Sequence, residues 1–358
     1  MPEKFRVALV GCGRISKKHL EAVTACEGTE LAAVCDVDTD RARVAGKQYG
    51  VPHYGSYDEM LTKEKVDIVN ILTPSGLHPE HTIDIVRKYR KHVICEKPMA
   101  LRLDDADEMI RVCDEHAVKL YVVKQNRFNV PVMKAREALE AGRFGRMVLG
   151  TVRVRWCRDQ AYYDQDAWRG TWALDGGVIS NQASHHIDLL EWMLGEPVSV
   201  MAKTGTFLAD VEVDDTCVAI IKFRSGALGV VEATTATRPK DLEGSLSLLG
   251  EKGSVVIGGF AVNKMETWNF ANEDEKTRKE VLERYAETPP NVYGFGHQRY
   301  LEHVVDCIRN NKKALVDGLE GRKSLELINA MYESAETGKE VFLRFEPKRS
   351  RLGRRVVL

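Results

Sequence analysis

The first forty residues contain a strand–glycine–helix–strand unit, which limits the possible fold more than any other stretch. The apolar run 7–10 leads into Gly11-Cys-Gly13, a helix is predicted next, and a second apolar run, 31–35, ends at Asp36. Gly11 permits a tight turn, Gly13 lets the backbone approach a pyrophosphate, and the start of the helix offers free N–H groups. This order and spacing are typical of a dinucleotide-binding βαβ unit.

The acidic residue at the end of the second strand indicates which dinucleotide binds. A carboxylate at Asp36 can accept hydrogen bonds from both ribose hydroxyls and would repel a 2′-phosphate. We therefore predict NAD as the cofactor, although Arg41 nearby leaves NADP open. Arg14 and Ile15 follow the second glycine and complete the predicted phosphate loop.

Strands and helices continue to alternate up to residue 123, which predicts a parallel, doubly wound sheet in an α/β fold. Further strands are predicted at 66–72, 92–95 and 120–123. Ligands bind such sheets at the carboxyl ends of the strands, so we expect the polar residues there to hold the cofactor. These residues are Thr73, Pro74, Ser75, His78, Glu96, Lys97 and Gln125.

We predict no metal site. His78 and His81 have a spacing that metal ligands can show, but no group of carboxylates or thiolates accompanies them in the sequence. The eight cysteines include no CxxC pair, which is typical of reduced thiols in a cytosolic protein.

The charges of the chain balance, with 52 Lys and Arg against 53 Asp and Glu. This balance gives no electrostatic reason to expect nucleic acid or an anionic membrane surface as a partner. No apolar run is long enough to cross a bilayer, and the first residues do not read as a signal peptide. We therefore expect a cytoplasmic protein.

The stretch 175–194 is the second one that suggests chemistry. Two glycines release the backbone into a turn, and a helix is predicted from there to residue 194. On that helix Asn181, His185 and Asp188 share one face, because they are spaced i, i+4 and i+7. We interpret this polar stripe as one wall of a pocket, against the alternative of a solvated helix face.

The sequence predicts three segments: a dinucleotide-binding domain at 1–124, a substrate and oligomerisation domain at 125–345, and a basic tail at 346–358. We expect the tail to be solvated, with a contact to phosphate or to a neighbouring subunit as the alternative. Helices at 297–309 and 321–337 are predicted to return to the cofactor domain or to lie between the domains.

Short, alternating segments predict an antiparallel sheet in the second domain. One of its faces has no predicted helical cover, and we assign Val218, Ile220, Val230 and Ala233 to it. Self-association through this face is therefore expected. Its strands are predicted near 146–156, 198–208, 215–224, 227–236, 244–250 and 254–258.

Several of these motifs together resemble the glucose-fructose oxidoreductase, inositol dehydrogenase and rhizopine catabolism (Gfo/Idh/MocA) family, over about residues 5–345. The resemblance implies a Rossmann domain followed by an α/β domain with a large open antiparallel sheet, assembled as a dimer of dimers. It also implies that Trp168 and Arg169 reach the cofactor from the second domain. The motifs are Gly11-x-Gly13, Thr73-Pro74, Glu96-Lys97-Pro98, Trp168-Arg169 and Gly176-Gly177 with His185 and Asp188.

Within this family, the stretches 125–131, 156–172 and 175–188 are similar to enzymes of bacterial surface-polysaccharide (O-antigen) synthesis. Those enzymes oxidise the 3-hydroxyl of UDP-N-acetylglucosaminuronic acid, a UDP-linked acidic amino sugar, to a 3-keto sugar. Some relatives reoxidise bound NADH with 2-oxoglutarate and others release it, and the motifs do not decide between these cycles. The residues that the similarity implies for substrate binding are Lys97, Asn126, Arg127, Arg158, Tyr163, Asn181, Gln182 and His185.

Oxidation of a secondary alcohol needs a base for the hydroxyl proton and a donor for the developing alkoxide. We predict His185 as the base and Lys97 as the donor, with the roles exchanged if burial depresses the pKa of Lys97 enough. Most family members have aspartate at position 181, so Asn181, which cannot act as a base, is expected to orient the substrate or His185.

Two alternatives to this function remain at the level of the sequence. One is a dehydrogenase of a free polyol or aldose, which needs no cationic partners for a carboxylate or a diphosphate. The other is a regulator that senses NAD(H) without catalysis. A pure sensor has no need of either Lys97 or His185, so their presence favours an enzyme.

Overall fold

The structure is a computed structural model that describes residues 4–286 and 296–343. Its first half contains a parallel sheet of six strands. Its strands are β1 (Phe5–Val10), β2 (Thr29–Cys35), β3 (His53–Tyr54), β4 (Ile68–Ile71), β5 (His92–Cys95) and β6 (Leu120–Val122). They lie in the order β3-β2-β1-β4-β5-β6, and all described neighbours are parallel. The predicted doubly wound sheet is confirmed.

Helices cover both faces of this sheet, which explains why its strands are apolar without alternation. Val7 and Leu9 of β1 pack into one apolar cluster, while Ala8 and Val10 pack into another on the opposite face. The helices are α1 (Ser16–Ala25), α2 (Thr39–Tyr49), α3 (Tyr57–Lys63), α4 (His78–Tyr89) and α5 (Leu103–Glu115).

The second half contains an eight-stranded sheet. Its strands are β7 (Met147–Arg155), β8 (Pro197–Gly205), β9 (Thr216–Phe223), β10 (Leu228–Thr234), β11 (Glu243–Gly250), β12 (Gly253–Gly258), β13 (Lys264–Phe270) and β14 (Val341–Phe342). The order is β13-β12-β11-β7-β10-β9-β8-β14. The prediction of a purely antiparallel sheet is wrong at one pair, since β10 runs parallel to β7 while the other described pairs are antiparallel.

The remaining helices are α6 (Val130–Glu140), α7 (Gln160–Tyr163), α8 (Ser184–Leu194), α9 (Glu275–Arg284), α10 (Gly296–Arg309) and α11 (Gly318–Thr337). α8 and α11 pack on one face of the second sheet. Gly150 of β7 allows this close approach, because a Cβ there would lie 2.8 Å from Leu190 of α8. His185 and Asp188 of the predicted polar stripe are buried with most of this helix.

The other face of the second sheet is open, as predicted. Val218 and Ile220 are about half exposed on it, and Val230 is half-buried. The assignment of Ala233 to this face is wrong, because side chains alternate along β10 and Ala233 points into the buried side.

The two long helices near the end of the chain return to the first half of the protein, as predicted. α10 packs against α1, and Tyr300, Leu301 and Val304 share an apolar cluster with Leu20 of α1. α11 contacts α5 and β6 as well as the second sheet. The predicted basic tail lies outside the described residues.

None of the described helices is long and apolar enough to cross a membrane.

Candidate active site

A cavity of about 980 Å³ lies between the carboxyl ends of the parallel strands and the residues that precede α8. The predicted cofactor residues that line it are Gly11, Gly13, Arg14, Ile15, Asp36, Thr73, Pro74, Ser75, His78, Glu96, Lys97, Gln125, Trp168 and Arg169. The predicted substrate residues that line it, besides Lys97, are Asn126, Arg158, Asn181, Gln182 and His185. The fold thus brings predicted residues as far apart in the sequence as Gly11 and His185 to the wall of one cavity.

Two predicted substrate residues do not belong to this wall. Arg127 is 2 % exposed, and its guanidinium makes a bidentate pair with Asp188, at 2.8 and 2.9 Å. Tyr163 is buried with its hydroxyl 3.1 Å from the Thr235 hydroxyl. We correct both predictions, because these polar groups are directed at protein partners rather than at the cavity.

The loop after β1 leaves room for a dinucleotide. Gly11 has φ +106°, and a Cβ on it would lie 2.7 Å from the Leu72 carbonyl oxygen. A Cβ on Gly13 would meet no atom within 4 Å, so the backbone there borders open space. Ser16 at the start of α1 takes the place of the usual third glycine and donates to the Gly13 carbonyl oxygen at 2.7 Å. The residues present therefore fit a bound dinucleotide.

The adenosine end of the cavity carries the acidic residue that the sequence indicated. The Asp36 carboxylate accepts from the Cys12 and Asp38 backbone N–H groups at 2.7 and 2.9 Å. Arg41 forms ion pairs with Asp38 and with Asp166 of the second half, both at 3.2 Å. A 2′-phosphate would meet the Asp36 carboxylate, while the nearby cation is already paired.

Lys97 projects from the end of β5 towards the loop before α8. Its ammonium donates to the Asn181 backbone carbonyl oxygen at 2.8 Å and to Asn181 Oδ1 at 3.1 Å. Burial lowers the pKa of Lys97 to about 8, while Glu96 and Asp175 favour its charged form. Asn181 therefore orients Lys97, a role that the sequence did not suggest.

His185, in the first turn of α8, lies on the same wall. Its Nε2 is 2.9 Å from Nε2 of Gln125, and because an amide N–H only donates, the imidazole nitrogen is the acceptor. Burial, with the charges of Lys97 and Lys124, holds the pKa of His185 well below its usual range. The ring is therefore neutral near pH 7, and the Nε2 lone pair, the group a general base uses, accepts the Gln125 N–H.

The predicted helix begins later than the sequence suggested. Asn181 and Gln182 lie in turns, and α8 starts at Ser184. The Asn181 N–H bonds back to the Gly177 carbonyl oxygen and the Ala183 N–H to that of Val178. Only His185 and Asp188 of the predicted stripe are helical, and Asp188 faces Arg127 rather than the cavity.

Glu96 belongs to a buried network. Its Oε1 lies 2.8 Å from His19 Nε2 and 3.7 Å from His297 Nε2, and Asn70 lies 3.0 Å from the other nitrogen of His19. Burial opposes ionisation, but the hydrogen bonds from both imidazoles hold the pKa of Glu96 well below its usual range. The network ties α1 and α10 to the strand end that carries Lys97. The sequence did not reveal this network because its residues are far apart in the chain, from position 19 to position 297.

The side chains of His78 and His81 each contact neighbouring groups of the protein. The two ring nitrogens of His78 each lie 2.8 Å from a backbone carbonyl oxygen, those of Pro98 and Thr73. His81 Nδ1 lies 3.0 Å from the Thr73 hydroxyl. These contacts fix the turn after β4 at the cavity wall.

Tyr162, rather than its neighbour Tyr163, lines the cavity. Arg169 donates to its hydroxyl at 3.0 Å, and the guanidinium groups of Arg158 and Arg14 lie 5.3 and 5.7 Å from its ring centroid. Three cations from three segments thus surround one aromatic ring at the cavity. The sequence offered two adjacent tyrosines, Tyr162 and Tyr163, as candidates for the cavity wall. Which of the two faces the cavity depends on the short helix α7.

Two family models match the chain. The NAD-binding Rossmann fold of the oxidoreductase family matches residues 5–124, and the C-terminal alpha/beta domain of that family matches residues 136–343. The chain therefore belongs to the Gfo/Idh/MocA oxidoreductase family, with an NAD-binding first domain. The resemblance and the cofactor inferred from the sequence are confirmed.

Particular relatives point to sugar dehydrogenases. The chain is 40% identical to the WlbA dehydrogenase from Bordetella pertussis, solved in complex with NADH and UDP-GlcNAcA, with a TM-score of 0.88 over 97% of this chain and 99% of that one. The corresponding complex from Chromobacterium violaceum gives 42% identity, a TM-score of 0.89, and coverage of 97% and 98%. Myo-inositol 2-dehydrogenase from Thermotoga maritima is 30% identical, over 95% of this chain and 98% of that protein. The chain is accordingly an NAD-dependent oxidoreductase of the kind that acts on sugar CH–OH groups.

Proposed function

We propose that this protein oxidises the 3-hydroxyl of UDP-N-acetylglucosaminuronic acid to the 3-keto sugar. The observation that carries the proposal is the meeting of Lys97, from the nucleotide-binding half, and His185, from the other half, on the wall of one cavity. That cavity also contains the glycine loop after β1. The two relatives of 40 and 42% identity, whose complexes contain UDP-GlcNAcA, support this choice of substrate.

In this proposal the residues of the chain handle the proton of the reacting hydroxyl. The reacting hydroxyl replaces the Gln125 N–H at the lone pair of His185 Nε2, which accepts the proton as the O–H bond breaks. The Lys97 ammonium donates a hydrogen bond to the same oxygen as negative charge develops there. NAD, when bound, supplies the acceptor for the hydride that leaves the carbinol carbon. The Gln125 amide holds the imidazole at the wall before the reaction.

The cationic groups of the cavity support an anionic substrate. Arg158 lines the cavity with its guanidinium over the rings of Trp156 and Tyr162, and one of its nitrogens bonds Asp241 at 2.9 Å. Arginine is suited to carboxylates and phosphates, because its planar donors match their oxygens. We assign Arg158 to the carboxylate or the diphosphate, and Asn126 and Gln182 to neutral groups of the sugar.

The NAD end of the cavity completes the assignment. The glycine loop and the start of α1 hold the diphosphate, Asp36 holds the adenosine ribose, and Trp168 and Arg169 close over the cofactor from the second half. Pairing of Arg41 with Asp38 and Asp166 supports NAD over NADP.

A second candidate is a dehydrogenase of a free polyol, which the 30% identical myo-inositol 2-dehydrogenase favours. The two functions separate in an assay of NADH formation with UDP-N-acetylglucosaminuronic acid, UDP-N-acetylglucosamine and myo-inositol. The proposal predicts turnover with the first and a large loss with the second, which has a neutral hydroxymethyl group in place of the carboxylate. Turnover with myo-inositol but with neither nucleotide sugar would reject it.

The fate of the reduced cofactor is part of the same experiment. Protein incubated with the uronate and a catalytic amount of NAD is supplied with 2-oxoglutarate or left without it, and the keto sugar is measured by mass spectrometry. Reoxidation in place predicts product in excess of the NAD only when 2-oxoglutarate is present. Release of NADH predicts product that never exceeds the NAD in either sample.

A further inference from the structure

The side chain that holds Lys97 is itself held by a buried acid. Asn181 Nδ2 lies 2.5 Å from Asp175 Oδ1, while Asn181 Oδ1 accepts from Lys97. An ionised carboxylate only accepts and an ammonium only donates, so the amide satisfies both neighbours in this orientation alone. The three residues therefore form a directed chain from Asp175 through Asn181 to Lys97.

Asp175 is fixed on its other side as well. Its Oδ2 accepts from the Gly170 N–H at 2.7 Å, and the side chain is 1 % exposed. Burial raises the pKa of Asp175 to about 6, against the hydrogen bonds from Gly170 and Asn181. At neutral pH the residue is a buried anion, and such an anion is costly unless other groups stabilise it.

The ammonium of Lys97 faces charge from several elements. Glu96 at the end of β5 and Asp175 in the loop before α8 favour its charged form, and Lys124 at the end of β6 opposes it. His185 and His186 on α8 experience the charge of Lys97 in turn. Asp175 therefore contributes negative charge near this lysine, in addition to that of Glu96.

We propose that Asp175 is a positioning residue for Lys97: its carboxylate orients the Asn181 amide so that two N–H groups of the ammonium are bound and the third is directed into the cavity. The described residues give Lys97 two acceptors, both from Asn181. The third N–H is then available for the oxygen of the reacting alcohol. The use of that N–H in catalysis rests on the proposed function, whereas the geometry and charge of Lys97 do not.

Asp175→Asn tests this assignment directly. It removes the charge and lets the amide of Asn181 face either way, so the pKa of Lys97 should fall by about one unit, as expected for a lost opposite charge at short range. Competitive acylation of the NAD-bound protein as a function of pH, followed by mass spectrometry of the Lys97 peptide, measures this pKa without any substrate.

Asp214→Asn is the matched control. Asp214 is equally buried, its pKa is also raised to about 6 by burial, and it lies against the same turn, beside Gly177. The charges that act most on Lys97 are those of Glu96, Asp175 and Lys124, and Asp214 is not one of them. The pKa of Lys97 should therefore stay at its wild-type value in this variant, and an equal fall in both variants would overturn the proposal.

The exchange variant, Asp175→Asn with Asn181→Asp, tests the same point where the single variant folds poorly. It keeps every donor paired with an acceptor, and it moves the carboxylate next to Lys97. The pKa of Lys97 should then equal or exceed the wild-type value, and a value below wild type would overturn the proposal.

Turnover separates this inference from the proposed function. A fall in the pKa of Lys97 in Asp175→Asn with at least tenfold lower kcat, restored in the exchange variant, supports both. The same fall with unchanged kcat upholds the positioning of Lys97 and rejects its catalytic role. An unchanged pKa of Lys97 rejects the inference whatever happens to kcat.

Discussion

At the scale of single residues, the chemistry depends on two nitrogens held by amides. Asn181 binds the ammonium of Lys97, and Gln125 donates to the imidazole of His185. Both contacts link segments that are distant in the sequence: Gln125 and His185 are 60 residues apart, and Lys97 and Asn181 are 84 apart. The protonation states follow from burial, because burial disfavours the charged form of either group.

The pH dependence of kcat/KM distinguishes the two possible roles of Lys97. As a donor, Lys97 must be protonated, so kcat/KM should fall as pH rises through about 8, the pKa of this lysine. If Lys97 were the base, kcat/KM would rise through the same range. The measurement is initial NADH formation with saturating NAD between pH 6 and pH 10, a range chosen around the reference pKa values of His and Lys, roughly 6.5 and 10.4.

Asp36 is predicted to determine the preference for NAD. Asp36→Ser should lower the ratio of kcat/KM with NAD to that with NADP by about tenfold or more, since a hydrogen bond to a charged group contributes roughly 1.5–3 kcal/mol. Asp40→Asn, at an exposed acid paired with Arg43, is the control and should leave the ratio unchanged. An unchanged ratio in Asp36→Ser would contradict the assignment.

Sequence reasoning located most of the wall residues because strand ends and glycine turns are local features. It placed Arg127 and Tyr163 wrongly, since the direction of a side chain depends on packing partners that are distant in sequence. Asp188 and Thr235, which take up those two side chains, lie 61 and 72 residues away. Asp175 was assigned no role from the sequence beyond its place before the two glycines, because the contact that links it to Lys97 runs through Asn181 and depends on the fold.

At the scale of elements, α8 is locked to the 3-10 turn Gln125–Phe128. Gln125 contacts His185, and Arg127 contacts Asp188 one turn further along the helix. Lys124 adds an ion pair to Asp188 at 3.6 Å and donates to the Ser324 hydroxyl of α11. The position of the proposed base is thus set by a buried ionic cluster, of which Arg127 was predicted from the sequence to bind the substrate.

Arg127→Met should therefore reduce stability more than substrate binding. Removing one partner of a buried ion pair costs about 3–5 kcal/mol of the free energy of unfolding, measurable by urea unfolding of the NAD-free protein. Arg111→Met, which breaks exposed pairs with Glu108 and Glu115, should cost about 1 kcal/mol or less. A raised KM for the sugar with unchanged stability would restore Arg127 to the substrate site.

The strand arrangement could be predicted only in part. Alternation along β9 correctly identified Val218 and Ile220 as outward residues. On β10 the outward assignment of Ala233 was off by one position, because Ala233 is buried. The parallel pairing of β7 with β10 was not predictable from local turns, because it results from the path of the chain through α8 and the strands β8 and β9.

At the scale of the whole molecule, the open face of the second sheet carries several exposed apolar side chains. Met201, Val218, Ile220 and Leu228 are each between 46 and 57 % exposed. Contiguous apolar surface of this kind is typical of an association site. We therefore keep self-association through this face, with the dimer of dimers suggested by the resemblance, as a prediction.

Ile220→Lys should dissociate that assembly, since it places a charge in the centre of an apolar interface. Sedimentation velocity at micromolar concentration should give a species larger than a monomer for the wild type and a smaller one for the variant. Val44→Lys, at an exposed apolar residue of α2, is the control and should leave the assembly unchanged. A monomeric wild-type protein would contradict the prediction.

The most direct test of the account is turnover of UDP-N-acetylglucosaminuronic acid by Lys97→Met, His185→Ala and the double variant. Each single variant should lose about two orders of magnitude or more in kcat, the scale of acid–base catalysis, while NAD still binds. Because both residues are assigned to one oxygen, the double variant should lose little more than the worse single variant. Near-normal turnover in both single variants would contradict the account.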